Sequence, residues 1–125
     1  MESSIKIVFI SLLYTGCQEA TETVQNTTSV ARSEGCEDIP WTYQNVGDPF
    51  MRTWCTSCHH VDLPQEQRAG SPTGVNFHSY SEVISQLERI QAHTLSEPMT
   101  MPPAGGPSDQ ELNRLREWID CGAPQ

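Results

Sequence analysis

The sequence predicts an all-helical domain with long loops. Three segments carry helix signals, and no segment alternates apolar and polar side chains over more than a few residues, as a half-buried strand would. Two stretches rich in Pro and Gly, residues 60–77 and 95–107, separate the predicted helices. At 125 residues the chain holds one small domain, so we expect three main helices around a single core.

The first predicted helix begins at Asp48 and leads into a pair of cysteines. Asp48 is a good N-cap acceptor, and Pro49 suits the first helical position because it lacks the amide hydrogen that would be unpaired there. Phe50, Met51 and Trp54 follow at positions that favour packing, with Met51 expected in the core.

The second and third predicted helices each begin with a capping box. Ser79 precedes Glu82 by three residues, and Ser108 precedes Glu111 by the same spacing. Apolar side chains then recur on one helical face, at Tyr80, Val83, Ile84, Leu87 and Ile90 in the second helix and at Leu112, Leu115, Trp118 and Ile119 in the third. Gly122 is a stop signal after the third helix.

Cys55-Thr56-Ser57-Cys58-His59 is the most specific motif in the chain. Cys-x-x-Cys-His is the pattern that attaches a c-type haem, since each thiol can add to one haem vinyl group and the adjacent histidine can bind the iron. A redox dithiol would need a βαβ setting, and zinc would need a fourth ligand; neither is evident. The motif predicts one covalent haem c.

The other three cysteines divide between the N-terminus and the domain. An apolar run from Ile5 to Tyr14 is sized like the core of a signal peptide, and the residues before Cys17 resemble a bacterial lipoprotein box. We therefore expect a signal peptide over 1–16, lipidation at Cys17, a flexible polar tether over 17–35 and the domain over 36–125. An ordinary signal or an uncleaved anchor is the alternative. Export would let Cys36 and Cys121 form a disulfide; two unpaired thiols are the alternative.

The iron's second axial ligand is expected in the loop 95–107. Met101 is the first candidate because Pro102 and Pro103 restrict the backbone after it, which we expect to hold the loop extended. Met99 is the alternative, two residues away. His93 and His78 are further alternatives: a histidine suits a helix C-terminus, and His78 lies in a loop beside a cap.

The balance of charge is acidic, with 16 Asp and Glu against 7 Lys and Arg. Nucleic acid is therefore not an expected partner. An acidic surface favours redox protein partners with a basic docking patch, although the charge can equally serve solubility alone.

Taken in order, the haem motif, Met101-Pro102-Pro103 and a C-terminal Leu-x-x-Trp-Ile helix resemble small single-haem class I cytochrome c domains. The closer similarity is to exported, lipoprotein-type cytochromes of bacteria such as the myxobacteria, and it covers roughly residues 46–124. It is carried by Arg68-Ala69-Gly70-Ser71-Pro72, Val75-x-Phe77-x-x-Tyr80 and Trp118-Ile119-Asp120-Cys121-Gly122-Ala123-Pro124.

The resemblance implies a cytochrome c-like fold with the first and last helices crossing beside the haem. It implies that His59 is the proximal ligand and Met101 the distal one. It also implies that a loop proline carbonyl accepts the imidazole N–H, for which Pro72 suits by its distance and Pro64 is the alternative. Arg68 is then a candidate partner of a haem propionate, or else a solvated surface arginine.

The expected function is transfer of one electron, not enzymatic catalysis. Two filled axial positions leave the iron no place for a substrate, and no nucleophile–base pair or carboxylate dyad stands out in the sequence. The expected location is outside the cytoplasm, on a membrane anchor. The alternative is a haem-based gas sensor or ligand-binding module in which the methionine is displaceable.

Overall fold

A computed structural model describes residues 35–125, and their regular structure is helical, as the sequence predicts. It comprises α1 (Asp48–Trp54), α2 (Tyr80–Ser85), α3 (Leu87–Thr94) and α4 (Asp109–Asp120), with a π-helical turn at Tyr43–Gly47 and a 3₁₀ turn at Gln65–Gln67. Residues 35–125 contain no β-strand. The predicted signal peptide, the lipidation site Cys17 and almost all of the tether lie outside the described residues. Within the range that is described, no helix is both long and apolar enough to cross a membrane.

The first helical segment begins earlier than predicted. Thr42 is its N-cap: the Thr42 side chain accepts the Asn45 N–H, and the Asn45 side chain accepts the Thr42 N–H in return. The π-helical turn continues directly into α1, so Asp48 lies inside the segment and does not cap it. Asp48 instead pairs with Arg52 one turn later, at 2.8 Å.

The second predicted helix is two short helices, separated at Gln86. Ser79 is the residue before α2, but its side chain makes no capping hydrogen bond. The reason is that the Glu82 carboxylate faces the imidazole Nδ1 of His78 and not the Ser79 N–H. The predicted capping box at this helix is therefore wrong, although the helix begins where expected.

Helix α4 matches its prediction closely. Ser108 accepts the Glu111 N–H, and Glu111 accepts the Ser108 N–H at 2.8 Å, which completes the capping box. Gly122 follows the helix with a φ of +84°, a left-handed conformation that glycine adopts without steric cost.

The core lies between α4 and the segments that precede it. Its fully buried side chains include Met51, Val83, Leu115 and Trp118, each with 0% of its surface exposed. Trp118 packs on the π-helical turn at Gly47, where a Cβ would lie 3.1 Å from the indole ring. This close approach holds α4 against the segment that delivers the cysteines.

The two ends of the described chain are joined beside this contact. Cys36 and Cys121 form a disulfide, the pair that the sequence predicts, at a sequence separation of 85. The Pro124 carbonyl accepts hydrogen bonds from the Tyr43 N–H at 2.8 Å and from the Trp118 indole at 2.9 Å. The C-terminal segment thus fixes the start of the first helical segment.

Candidate cofactor site

The Cys-x-x-Cys-His motif folds as a turn that continues α1. Backbone hydrogen bonds run from Cys55 N to Met51 O at 2.9 Å, from Cys58 N to Cys55 O at 3.1 Å and from His59 N to Cys55 O at 2.9 Å. All three motif side chains line one cavity of about 520 Å³. That volume falls within the range of about 300–1,000 Å³ that is usual for cofactor and ligand pockets.

Three parts of the chain form the cavity wall, and most of the wall is apolar. They are the end of α1 with the motif, the loop 69–77, and α3 with the segment that follows it. Trp54, Val75, Phe77 and Ile90 supply much of the apolar surface. An apolar wall with a few polar groups suits a large, mainly hydrophobic cofactor.

The His59 imidazole is held by a backbone carbonyl and an aromatic ring. Its Nδ1 lies 3.0 Å from the Val75 carbonyl oxygen, and its ring meets the Phe77 ring edge-on with 5.1 Å between centroids. Since a carbonyl can only accept, Nδ1 carries the donated proton, and in the neutral ring Nε2 then has the lone pair. His59 is thus prepared to bind a metal through Nε2.

The expected proline acceptor for this imidazole is wrong. The Pro72 carbonyl accepts from Arg68 Nη2 at 2.8 Å, and the His59 partner is Val75. The chain turns between these two residues, since Val75 N donates to Pro72 O at 3.1 Å. This turn brings the Val75 carbonyl to the imidazole. Pro64, the alternative, lies before the 3₁₀ turn, and no hydrogen bond joins it to His59.

Arg68 is neither a surface arginine nor a residue of the cavity wall. It is 1% exposed and lies at the centre of the loop 60–76. Its guanidinium donates to five oxygens of that loop: the carbonyls of His60, Ser71, Pro72 and Val75, and the side chain of Asn76. Arg68 does not line the cavity, and its hydrogen bonds organise the loop that holds His59.

The two motif thiols are unbonded to each other. Burial raises the pKa of the Cys55 thiol to about 12, so this sulfur is protonated at neutral pH. A redox dithiol needs a thiolate at neutral pH, which this environment disfavours. Among residues 35–125, no three His, Cys, Asp or Glu side chains converge as a metal site of their own.

Met101 lines the cavity, and Met99 does not. Met101 is 41% exposed, so its thioether lies at an open part of the wall. The structure therefore places Met101 with His59 and leaves Met99 outside the site. The backbone beyond Met101 is not extended as expected, because Gly105 N donates to Pro102 O at 3.0 Å and closes a turn.

The two alternative histidines have separate positions. His93 lines the cavity, near the end of α3. His78 lies away from it, paired with Glu82 and close to the ring of His60, with 5.1 Å between centroids. Of the two, His93 alone could reach a group bound in the cavity.

Arg89 is the functional candidate that the sequence interpretation missed. It is the one Arg, Lys, Asp or Glu on the cavity wall within the described residues. The other four arginines of residues 35–125 all have partners: Arg52 pairs with Asp48, Arg68 binds the loop 60–76, Arg114 lies over the Trp41 ring, and Arg116 binds Asn113 and the Leu95 carbonyl. Arg89 has none among the described residues. The available signal was its spacing of four residues before His93, which places both on one helical face.

Comparison of this chain with protein-family models, with curated proteins and with solved structures finds no match.

Proposed function

We propose that this domain binds one haem covalently through Cys55 and Cys58 and carries single electrons between redox proteins. The observation that carries the proposal is the set of groups on one cavity wall. Two thiols, an imidazole with a free Nε2 and a thioether line the same apolar-walled cavity. A haem c uses that donor set in full: two thioether bonds and two axial ligands.

Each group has a defined part in holding the haem. Cys55 and Cys58 provide the attachment, His59 the proximal nitrogen and Met101 the distal sulfur. Arg89 is the cation available to the haem carboxylates. When bound, the haem supplies an iron that cycles between the ferrous and ferric states. The fold that fits this assignment is cytochrome c-like.

The chain's contribution to electron transfer is to keep the proximal ligand fixed in both oxidation states. The Val75 carbonyl and the Phe77 ring restrain the His59 imidazole, and Arg68 restrains Val75 through the same carbonyl oxygen at 3.0 Å. A rigid ligand lowers the structural change that accompanies oxidation. The surrounding apolar side chains exclude water from that side of the site.

The cellular setting is part of the proposal. We infer export, a lipid anchor at Cys17 and encounter with electron donors and acceptors that carry a basic patch, given the formal net charge of −9. The partners are proteins and not nucleic acid.

A second candidate function is reversible binding of a small gas at the iron. The exposure of Met101 favours it, because a thioether at an open wall is easier to displace than a buried one. A sensor of this kind would bind carbon monoxide rapidly in its reduced form.

Spectroelectrochemical titration of the holoprotein, followed by exposure to carbon monoxide, tests the proposal. An electron carrier shows one reversible one-electron wave and slow carbon monoxide binding at neutral pH. Rapid binding would favour the sensor and contradict simple electron transfer. Met101→Ala with Met99→Ala as its matched control identifies the distal sulfur: only the first should abolish the weak long-wavelength sulfur-to-iron band and lower the potential.

A further inference from the structure

The segment that carries Met101 is attached to the end of α3 mainly through one residue. The His93 carbonyl accepts two backbone hydrogen bonds, from Thr100 N at 2.8 Å and from Met101 N at 2.9 Å. A helix leaves its last carbonyls unpaired, and here the returning chain satisfies one of them twice. The backbone of Met101 is thereby fixed next to His93.

The His93 side chain adds a third connection to the same segment. Its Nδ1 lies 3.0 Å from the Thr100 hydroxyl. The ring also lines the cavity, so it occupies the wall next to the candidate distal ligand. Met99, two residues before Met101 in the same segment, does not line the cavity, so a substitution at Met99 is a control for substitutions that affect Met101.

We propose that His93 is a positioning residue for Met101: its imidazole, through the Thr100 hydroxyl, holds the distal segment so that the thioether stays on the iron. The inference rests on the proposed haem function and deepens it. His93 then sets how readily an external ligand displaces Met101, which is the property that separates an electron carrier from a gas-binding module.

The expected effect is modest because the two backbone hydrogen bonds to the His93 carbonyl, and the one from the Thr100 hydroxyl at 3.4 Å, remain when the ring is changed. One solvent-exposed hydrogen bond is lost, so the population with a detached thioether should rise about two- to fivefold. When detachment limits ligand entry, the rate of carbon monoxide binding rises by the same factor.

The test compares His93→Leu, Thr100→Val and the double variant, with Met99→Leu as the control. Carbon monoxide binding to the reduced holoprotein gives the rate, and the long-wavelength sulfur-to-iron band of the oxidised form gives the state of Met101. Each single variant should bind about two- to fivefold faster, and Thr100→Val at least as fast as His93→Leu, because it also loses the hydrogen bond from the Thr100 hydroxyl to the His93 carbonyl at 3.4 Å. The double variant should bind no faster than Thr100→Val, because that substitution already removes the contact with the imidazole. His93→Asn, which keeps a polar atom near the Nδ1 position, should bind close to the parent rate, as should Met99→Leu.

Any one of the following results would overturn the inference. Rates that multiply in the double variant would mean that His93 does not act through Thr100. A sulfur-to-iron band that is absent from the parent and from every variant would leave Met101 without a role. Loss of low-spin ligation in His93→Leu alone would make His93 the ligand itself. If every variant binds haem and its rate of carbon monoxide binding is unchanged, the positioning role of His93 is refuted and the proposed function is not. A parent protein without covalent haem refutes the proposed function as well.

Discussion

Replacing Arg68 with Met should destabilise the holoprotein by about 3–5 kcal/mol, the usual cost of removing one partner from a buried charged network. Hydrogen bonds to charged groups contribute roughly 1.5–3 kcal/mol each, but five to one guanidinium are not additive, and carbonyls of a surface loop regain some water. The methionine side chain keeps much of the buried volume, so the loss reports the hydrogen bonds and not a cavity. Arg68 is 1% exposed, which limits compensation by solvent at the guanidinium itself.

Denaturant unfolding of the oxidised holoprotein, followed by circular dichroism, measures this loss. Arg52→Met is the matched control: it removes the same group from an exposed pair with Asp48 and should leave the free energy of unfolding nearly unchanged. Arg68→Lys should retain only a small part of the free energy of unfolding that Arg68→Met loses, because one ammonium group cannot reach five oxygens in different directions. An Arg68→Met protein as stable as the parent would refute the conclusion that this residue organises the loop that holds His59.

Three further changes test other parts of the structure. Arg89→Gln should lower the reduction potential more than Arg114→Gln does, because only Arg89 lies on the cavity wall; equal shifts would contradict its assignment to the haem carboxylates. Gly106→Ala should lower the free energy of unfolding by about 2 kcal/mol, because the glycine has a φ of +128° and a Cβ would lie 2.3 Å from the Trp54 ring; an unchanged unfolding midpoint would count against this packing. The Glu111 carboxylate accepts hydrogen bonds from the N–H and the hydroxyl of Ser108 and from the Trp54 indole, and these bonds lower the pKa of Glu111 below its ordinary 4.5. Its stabilising effect is therefore present above pH 4.5 and is lost as pH falls through the lower folded pKa, so Glu111→Gln should weaken the acid dependence of stability; an unaltered pH profile would contradict it.

Local signals predicted the helices well where no other residue competed for the same groups. The Ser108 and Glu111 pair caps α4 as expected, since the Trp54 indole binds the other carboxylate oxygen, Oε1, and leaves Oε2 to the Ser108 N–H. The same pattern failed at Ser79 because His78 takes the Glu82 carboxylate. Asp48 followed by Pro49 is compatible with the start of a helix and also with the interior of a helical segment that begins with a π-helical turn. Nothing in these two residues distinguishes a capping position from an interior one.

The candidate site was predictable at its motif and less so in its surroundings. Cys55, Cys58 and His59 carry their chemistry in their spacing, and Met101 stands out by its prolines. The role of Arg68 was hidden, because a charged side chain is expected at the surface, and the carbonyls that it binds converge only after the loop has folded. The choice of Pro72 as the His59 acceptor failed for a related reason: distance along the chain does not determine which carbonyl a turn directs inward.

The mass of the denatured protein, expressed in a host that attaches haem to c-type cytochromes, tests the central claim most directly. Denaturation removes every noncovalent ligand, so only a covalently bound haem stays with the chain. The account predicts the mass of the processed chain plus one haem, with the addition confined to the peptide that contains Cys55 and Cys58. A chain at its polypeptide mass, with both of these thiols free to react, would contradict it.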